Sequence, residues 1–280
     1  MQTSAEELLS VLARLVPDWD LSLFGNIEFL EGGYSNQNFM LSYAQRRYAL
    51  RIPGPAQPYV DRHIEDAFYK VLPEGVGTNP VAFDRASGAM LTPWVEGRLL
   101  IDVWQNFNPQ DLVKYLVDLH RKLPESERAY DVSYLLTHWL PDDSLARPVD
   151  FQPTGTPEVS ITCHNDLNPW NIIVTDGGWI TLDWEFVGRN DPLFDLISLH
   201  QGLGLEDRDL LGMAEQYVRK TAHPAQDPAT LEDALHHNLR QFWLREYAWA
   251  EYQLSQGNQR KEIADQRDIA ITKLELDIAS

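Results

Sequence analysis

The 280 residues include one cysteine, Cys163, so no disulfide can close within the chain and no Cys-rich zinc site can form. No apolar run approaches the ~20 residues that cross a bilayer. The opening stretch, Met1 to Leu15, carries Glu6 and Glu7 where a secretory leader carries Lys or Arg. Positive charge is scarce: 23 Lys and Arg stand against 42 Asp and Glu, a formal net charge of −19. Such a field repels phosphate backbones and attracts cations, although plain solubility would account for it equally well. These absences exclude a disulfide scaffold, argue against nucleic acid and membrane insertion, and lead to the expectation of a soluble, cytoplasmic protein.

What is present divides by pattern into a strand-rich front and a helix-rich back. Ser4 and Glu7 form an S-x-x-E capping signal ahead of Leu8, Leu9, Leu12, Leu15 and Val16 at helical spacing. Asn26 to Glu31, Phe39 to Tyr43 and Tyr48 to Ile52 then read as strands, separated by the turn-formers of residues 32–36 and 44–46. A helix is expected from Asp61 to Leu72, and a hairpin from Val81–Phe83 and Ala89–Thr92 around Asp84 to Gly88. Asn108 and Pro109 open a helix through Leu123. Pro124 to Pro157 is Pro-rich and carries no clear period. Short apolar runs follow at Val159–Cys163, Ile172–Val174 and Trp179–Leu182, the last two around Asp176-Gly177-Gly178, and long helical patterns fill most of the chain after Pro192. The expected class is α+β, with a front domain of residues 1–93 and a back domain of 94–280.

The stretch richest in chemistry is His164-Asn165-Asp166-Leu167-Asn168-Pro169-Trp170-Asn171, an H-x-D-x-x-x-x-N pattern between two strands, with Asp183 ending the next one. Phosphoryl transfer needs a carboxylate to accept the hydrogen of an incoming hydroxyl, and hard oxygen ligands to hold Mg²⁺ against nucleotide phosphates. Asp166 suits the first task, Asn171 and Asp183 the second. His164 could be a metal ligand, but no second His stands at ligand spacing nearby, which leaves it to brace the loop by hydrogen bonding. Cys163 falls where Val159, Ile161 and Cys163 alternate as inward positions would, so it reads as a small buried hydrophobe.

Cys-His-Asn-Asp-Leu-Asn-Pro-Trp-Asn-Ile-Ile followed by Leu-Asp-Trp-Glu-Phe resembles the choline/ethanolamine kinase and thiamine kinase group of the aminoglycoside-phosphotransferase-like superfamily, over about Leu30 to Tyr252. The resemblance implies a protein-kinase-like fold of two lobes. One is a small antiparallel-sheet lobe with an internal helix that binds nucleotide, the other a larger, mainly helical lobe for catalysis and acceptor binding. It implies ATP and Mg²⁺ as cofactors, Asp166 as catalytic base with His164 beside it, and Asn171 and Asp183 as metal ligands. It also makes Glu31 to Asn38 a nucleotide-covering loop, where Gly33 permits close backbone approach and Ser35, Asn36 and Asn38 offer short donors.

The pattern departs from protein kinases in having no G-x-G-x-x-G and no lysine before Lys70. Arg51 stands where the third-strand lysine would, with Glu65 on the following helix to hold it. Arg47 lies on the same face, so alternation alone does not separate the two. Trp94, in Thr92 to Gly97, looks like the connector whose backbone groups meet adenine. Asp195 resembles the family aspartate that supports the catalytic loop.

For the acceptor, a small-molecule alcohol, Phe242, Glu246, Trp249 and Tyr252 crowd one expected helix, with Glu185 after the metal-binding strand. Aromatic faces with carboxylates can hold a cation at about 0.5–2 kcal/mol per contact, while the same spacing also describes core packing. Choline or ethanolamine is the expected acceptor, with thiamine, an aminoglycoside, or a catalytically inactive kinase-like scaffold as alternatives. Oligomeric state is not readable.

Overall fold

A computed structural model describes residues 4–31, 35–140 and 159–278. In chain order its elements are α1 (Ala5–Leu15), β1 (Phe24–Leu30), β2 (Asn36–Tyr43), β3 (Arg46–Pro53), α2 (Arg62–Val71), β4 (Ala82–Phe83), β5 (Met90–Pro93), β6 (Arg98–Leu99), α3 (Leu100–Val103), α4 (Pro109–Lys122) and α5 (Val132–Trp139). Then come β7 (Ile161–Cys163), β8 (Ile172–Thr175), β9 (Gly178–Thr181), β10 (Gly188–Asn190), α6 (Leu193–Gly202), α7 (Asp207–Lys220), α8 (Pro228–Ser255) and α9 (Lys261–Ile278). The chain forms two compact units, Met1–Asp102 with Trp170–Glu185, and Val103–Pro169 with Phe186–Ser280. Among the described residues no helix is long and apolar enough to cross a membrane.

The first unit is built on an antiparallel sheet of order β1-β2-β3-β5-β4. Ser4 and Glu7 close a capping box on α1, satisfying N–H groups that a helix start leaves without partners. Leu8, Leu12 and Leu15 share one face of α1 and pack with Phe39, Leu41, Leu50 and Leu91 of the sheet. β2 and β3 are joined through Ala44 and Gln45, both left-handed at φ 46° and 66°, the backbone that a two-residue hairpin turn requires. The Asp61 carboxylate caps α2 by accepting from the N–H groups of His63 and Ile64. A second, smaller sheet of order β6-β8-β9 brings the 172–181 hairpin into this unit. Gly97 permits that approach, since a Cβ there would lie 2.4 Å from the Val174 carbonyl oxygen.

Among its described residues the second unit is helical apart from the pairing of β7 with β10 and a single bridge between Ala129 and Arg189. α4 is capped by Asn108 and Asp111 with Pro109 in its first turn, and buries Leu112, Val113, Leu116, Val117 and Leu119. α6 is buried from Leu193 to His200. α8, about 42 Å long at 1.5 Å per residue, packs against α5, α6, α7 and α9. α5 lies inside the Pro-rich stretch and begins where Asp131 accepts from the N–H groups of Ser133 and Tyr134; residues 141–158 of that stretch lie outside the described residues. β7 does not alternate in burial: Cys163 is buried as expected, but so is Thr162, because its Oγ1 accepts the N–H of Ser126 at 2.8 Å.

Candidate active site

In the first unit β3, α2 and the segment after β9 meet in a buried charge network. Arg51 of β3 is 6% exposed. Its Nη2 lies 2.7 Å from Glu65 Oε1 of α2, and its Nη1 lies 2.7 Å from Asp183 Oδ1. Nη2 also reaches the Gly88 carbonyl at 3.1 Å. Arg62 extends the network, with Nη1 at 2.6 Å from Glu65 Oε2 and 2.8 Å from Glu185 Oε2. Two guanidiniums thus alternate with three carboxyl groups, which is how buried charge is tolerated. Burial opposes the charge on Arg51, yet Glu65 and Asp183 outweigh it and hold the guanidinium above its ordinary range. Glu185 is pushed up to about 8 by burial and then by the Asp183 charge, against the pull of Arg51 and Arg62.

Gly88 makes room for Arg62. Its φ is 77°, and a Cβ would lie 2.3 Å from Arg62 Nε. Arg47, indistinguishable from Arg51 by alternation, is half exposed and pairs with Glu96. Burial therefore separates two arginines that the strand period could not.

Asp183 and Asn171 stand at the open end of the β8–β9 hairpin. Its ladder runs from Thr175 opposite Gly178 to Ile172 opposite Thr181, and continues with the Leu182 N–H on the Asn171 carbonyl at 2.8 Å. Asp183 follows at φ 60°, a left-handed backbone uncommon outside Gly, Asn and Asp. Its side chain is 24% exposed, and Oδ2 accepts from Asn36 Nδ2 at 3.3 Å. One carboxylate and one amide oxygen on opposite arms of a hairpin fit the hard-oxygen preference of Mg²⁺, and a carboxylate oxygen has lone pairs enough for Arg51 and a cation together.

The expected nucleotide loop is described from Ser35 onward, and Gly33 lies outside the described residues. The Ser35 carbonyl accepts the Gly54 N–H at 2.8 Å. Asn38 pairs with Arg51 across β2 and β3. Trp94 gives its N–H to the Arg47 carbonyl at 3.0 Å, so this backbone donor is engaged within the sheet, and the Arg47 guanidinium carbon lies 5.8 Å from the centre of its ring.

In the second unit the H-x-D segment is held by groups remote in sequence. Asp195 of α6, fully buried, accepts the N–H of His164 on Oδ2 and of Asn165 on Oδ1, each at 2.7 Å. His120 Nε2 meets Asp195 Oδ2 at 3.0 Å and its Nδ1 meets the Tyr217 hydroxyl at 2.8 Å. Asn165 is left-handed at φ 65°. Its Nδ2 lies within 3.2 Å of the Cys163, Phe186 and Gly188 carbonyls, and its Oδ1 accepts from Asn190 at 2.9 Å. His164 Nδ1 accepts the Asp166 N–H at 3.2 Å. Burial keeps the Cys163 thiol well above its ordinary range, so it is no thiolate nucleophile. Asp166 itself is held by Arg245 of α8, whose Nη2 lies 2.7 Å from Oδ1.

The expected acceptor residues have different surroundings. Phe242 is buried against Phe194 and Trp243. Glu246 is buried, accepting from Arg245 Nη1 and, at 2.8 Å, from Gln266. Trp249 is half-buried, and Tyr252 stacks on Trp139 at 6.4 Å. Glu185 belongs with Arg62 in the first unit. Sequence reasoning missed Arg245 and Arg62 as partners of site carboxylates. Arg62 sits three residues before Glu65 on one helix, a spacing that pairs opposite charges, whereas Arg245 stands 79 positions from Asp166 with no local signal.

Protein LicA of Haemophilus influenzae is 26% identical over 212 residues, 68% of this chain and 62% of that relative, so less than two thirds of its length is matched. The fold is that of a choline/ethanolamine kinase family protein from Mesorhizobium loti, with a TM-score of 0.71 and 20% identity over 98% of this chain and 95% of that one. Choline kinase LicA from Streptococcus pneumoniae matches with a TM-score of 0.72 and 17% identity over 95% and 98% of the two chains. The family model described as the phosphotransferase enzyme family matches residues 26–129 and 145–233, and with the kinase-like fold around it the chain belongs to that family.

Proposed function

We propose that this protein transfers the γ-phosphoryl group of ATP to the hydroxyl of a small cationic alcohol, choline or ethanolamine in the first place. The observation that carries the reading is Arg51, a buried strand cation tied at once to a helix carboxylate and to the aspartate after a hairpin. Kinases of the protein-kinase type need that linkage in order to present a fixed positive charge to nucleotide phosphates. On this reading residues 1–93 serve the nucleotide, and residues 94–280 supply the catalytic groups and the acceptor site.

Arg51 would face phosphate oxygens, Asn36 would offer an amide, and Asn171 and Asp183 would hold Mg²⁺. When bound, Mg²⁺ neutralises charge on the β- and γ-phosphates. Asp166 accepts the hydroxyl proton of the alcohol, and His164 and Asp195 keep the backbone before it in one path. The choline kinases among the similar proteins and the net charge of −19 support a cationic acceptor.

The test is ADP release from Mg·ATP with choline, ethanolamine, thiamine and kanamycin in parallel. Turnover is expected with choline or ethanolamine, and turnover with kanamycin alone refutes the acceptor. Asp166→Asn is expected to lower kcat by about 10²–10⁴-fold, and an unchanged rate removes Asp166 from the mechanism.

A further inference from the structure

The loop before Asp166 is already fixed through its backbone, by Asp195 on two N–H groups and by the Asn165 side chain on the carbonyls around it. The Asp166 side chain has a terminal torsion that is intrinsically broad. In this structure a hydrogen bond from Arg245 Nη2 to Oδ1 at 2.7 Å orients it. Arg245 is itself enclosed. It is 6% exposed, its guanidinium carbon lies 5.3 Å from the centre of the Phe186 ring, and Nη1 donates to Glu246. Glu246 is held in turn from α9 by the Gln266 amide at 2.8 Å. Burial opposes this charge, and the Asp166 and Glu246 carboxylates outweigh it, so the guanidinium stays protonated.

We propose that Arg245 is a positioning residue for phosphoryl transfer, setting the plane of the Asp166 carboxylate through Oδ1 so that Oδ2 is aimed at the acceptor hydroxyl. The chain of contacts Gln266–Glu246–Arg245–Asp166 carries the rigidity of two helices to one oxygen atom. A buried fork that grips Glu246 and Asp166 at once is a better orienting device than a single ammonium, which can hold one of them. The inference rests on the reading of Asp166 as the base.

The experiment measures steady-state ADP release with Mg·ATP and whichever of choline, ethanolamine, thiamine or kanamycin the wild-type protein phosphorylates fastest. The proteins compared are wild type, Asp166→Asn, Arg245→Met, Arg245→Lys, Arg245→Ala and the double variant D166N/R245M. A carboxylate turned out of line is expected to lower kcat of R245M by about 100-fold, with KM for ATP changed by less than about twofold. R245K retains an intermediate rate. If Arg245 acts through Asp166, the double variant is no slower than D166N by more than about threefold. Guanidinium at low millimolar concentration is expected to restore part of the rate of Arg245→Ala, where sodium chloride at the same concentration does not. That rescue also covers the case in which R245M folds poorly. Wild-type kcat in R245M beside a loss in D166N overturns the inference alone, as does a double variant slowed by the product of the two single losses. Wild-type kcat in D166N removes the base assignment, and the inference with it.

Discussion

Replacing Arg51 by Met removes a side chain that touches Glu65, Asp183 and the Gly88 carbonyl together. Each carboxylate contact is 2.7 Å long, and at an effective dielectric constant of 20 unit charges at that distance attract by about 6 kcal/mol. Most of that is offset by desolvation, and deleting one partner of a buried pair costs about 3–5 kcal/mol, chiefly because a charge is left uncompensated. Two features put this case near the low end. Glu65 keeps Arg62 at 2.6 Å, and the Asp183 side chain, 24% exposed, can be hydrated. A loss of about 3 kcal/mol is expected, a fall in Tm of roughly 6–12 °C for a chain of this size. R51K keeps the charge but spans only one carboxylate, and is expected to lose about half as much. Adding Asp183→Asn to R51M removes the stranded charge and restores about 1 kcal/mol. The assays are urea and thermal unfolding of the four proteins, with KM for ATP rising about tenfold or more in R51M. A Tm for R51M within about 2 °C of wild type, or R51K no better than R51M, refutes the reasoning.

Two further outcomes follow from the same structure. An unfolded chain releases the Glu185 proton near 4.5 and the folded chain near 8, so between those values the folded protein binds a proton that the unfolded one has lost, and stability falls as pH rises. The slope is at most about 1.4 kcal/mol per pH unit; urea unfolding from pH 5 to 8 should show that part of the slope vanish in Glu185→Gln, and identical slopes in the two proteins refute the shift. Ala44 and Gln45 occupy left-handed backbone at φ 46° and 66°, which disfavours each by about 1–2 kcal/mol. A44N/Q45G is therefore expected to gain about 1–2 kcal/mol in chemical unfolding, with kcat unchanged because the turn is exposed and outside the site, and a loss of stability refutes the turn geometry.

Local chemistry was readable where it repeats at short range. Ser4 with Glu7 and Asn108 with Pro109 each announce a helix start, and the structure caps a helix at each. The H-x-D-x-x-x-x-N spacing, the later Asp183 and the Arg51–Glu65 pair were equally visible, since each residue type is chemically unusual in its place. Partners supplied by distant segments were not. Arg245 belongs to a helix whose residues 241 to 248 are all buried, so no polar face marks it out. The same all-round burial explains why spacing on α8 could not divide pocket from core, and why Phe242 is packed on Phe194. β10, Gly-Arg-Asn, is too short and polar to carry a strand period, and exists through its pairing with β7.

Asn171 and Asp183 sit on the two arms of a hairpin only four residue pairs long, which makes their separation a property of strand alignment. Sliding one arm past the other by a single position would carry alternate side chains to the opposite face, and the two oxygen donors would no longer share an edge. The Asp176-Gly177 link therefore acts as a gauge: lengthening or shortening it by one residue would move Asp183 away from Asn171 while leaving both residues unchanged.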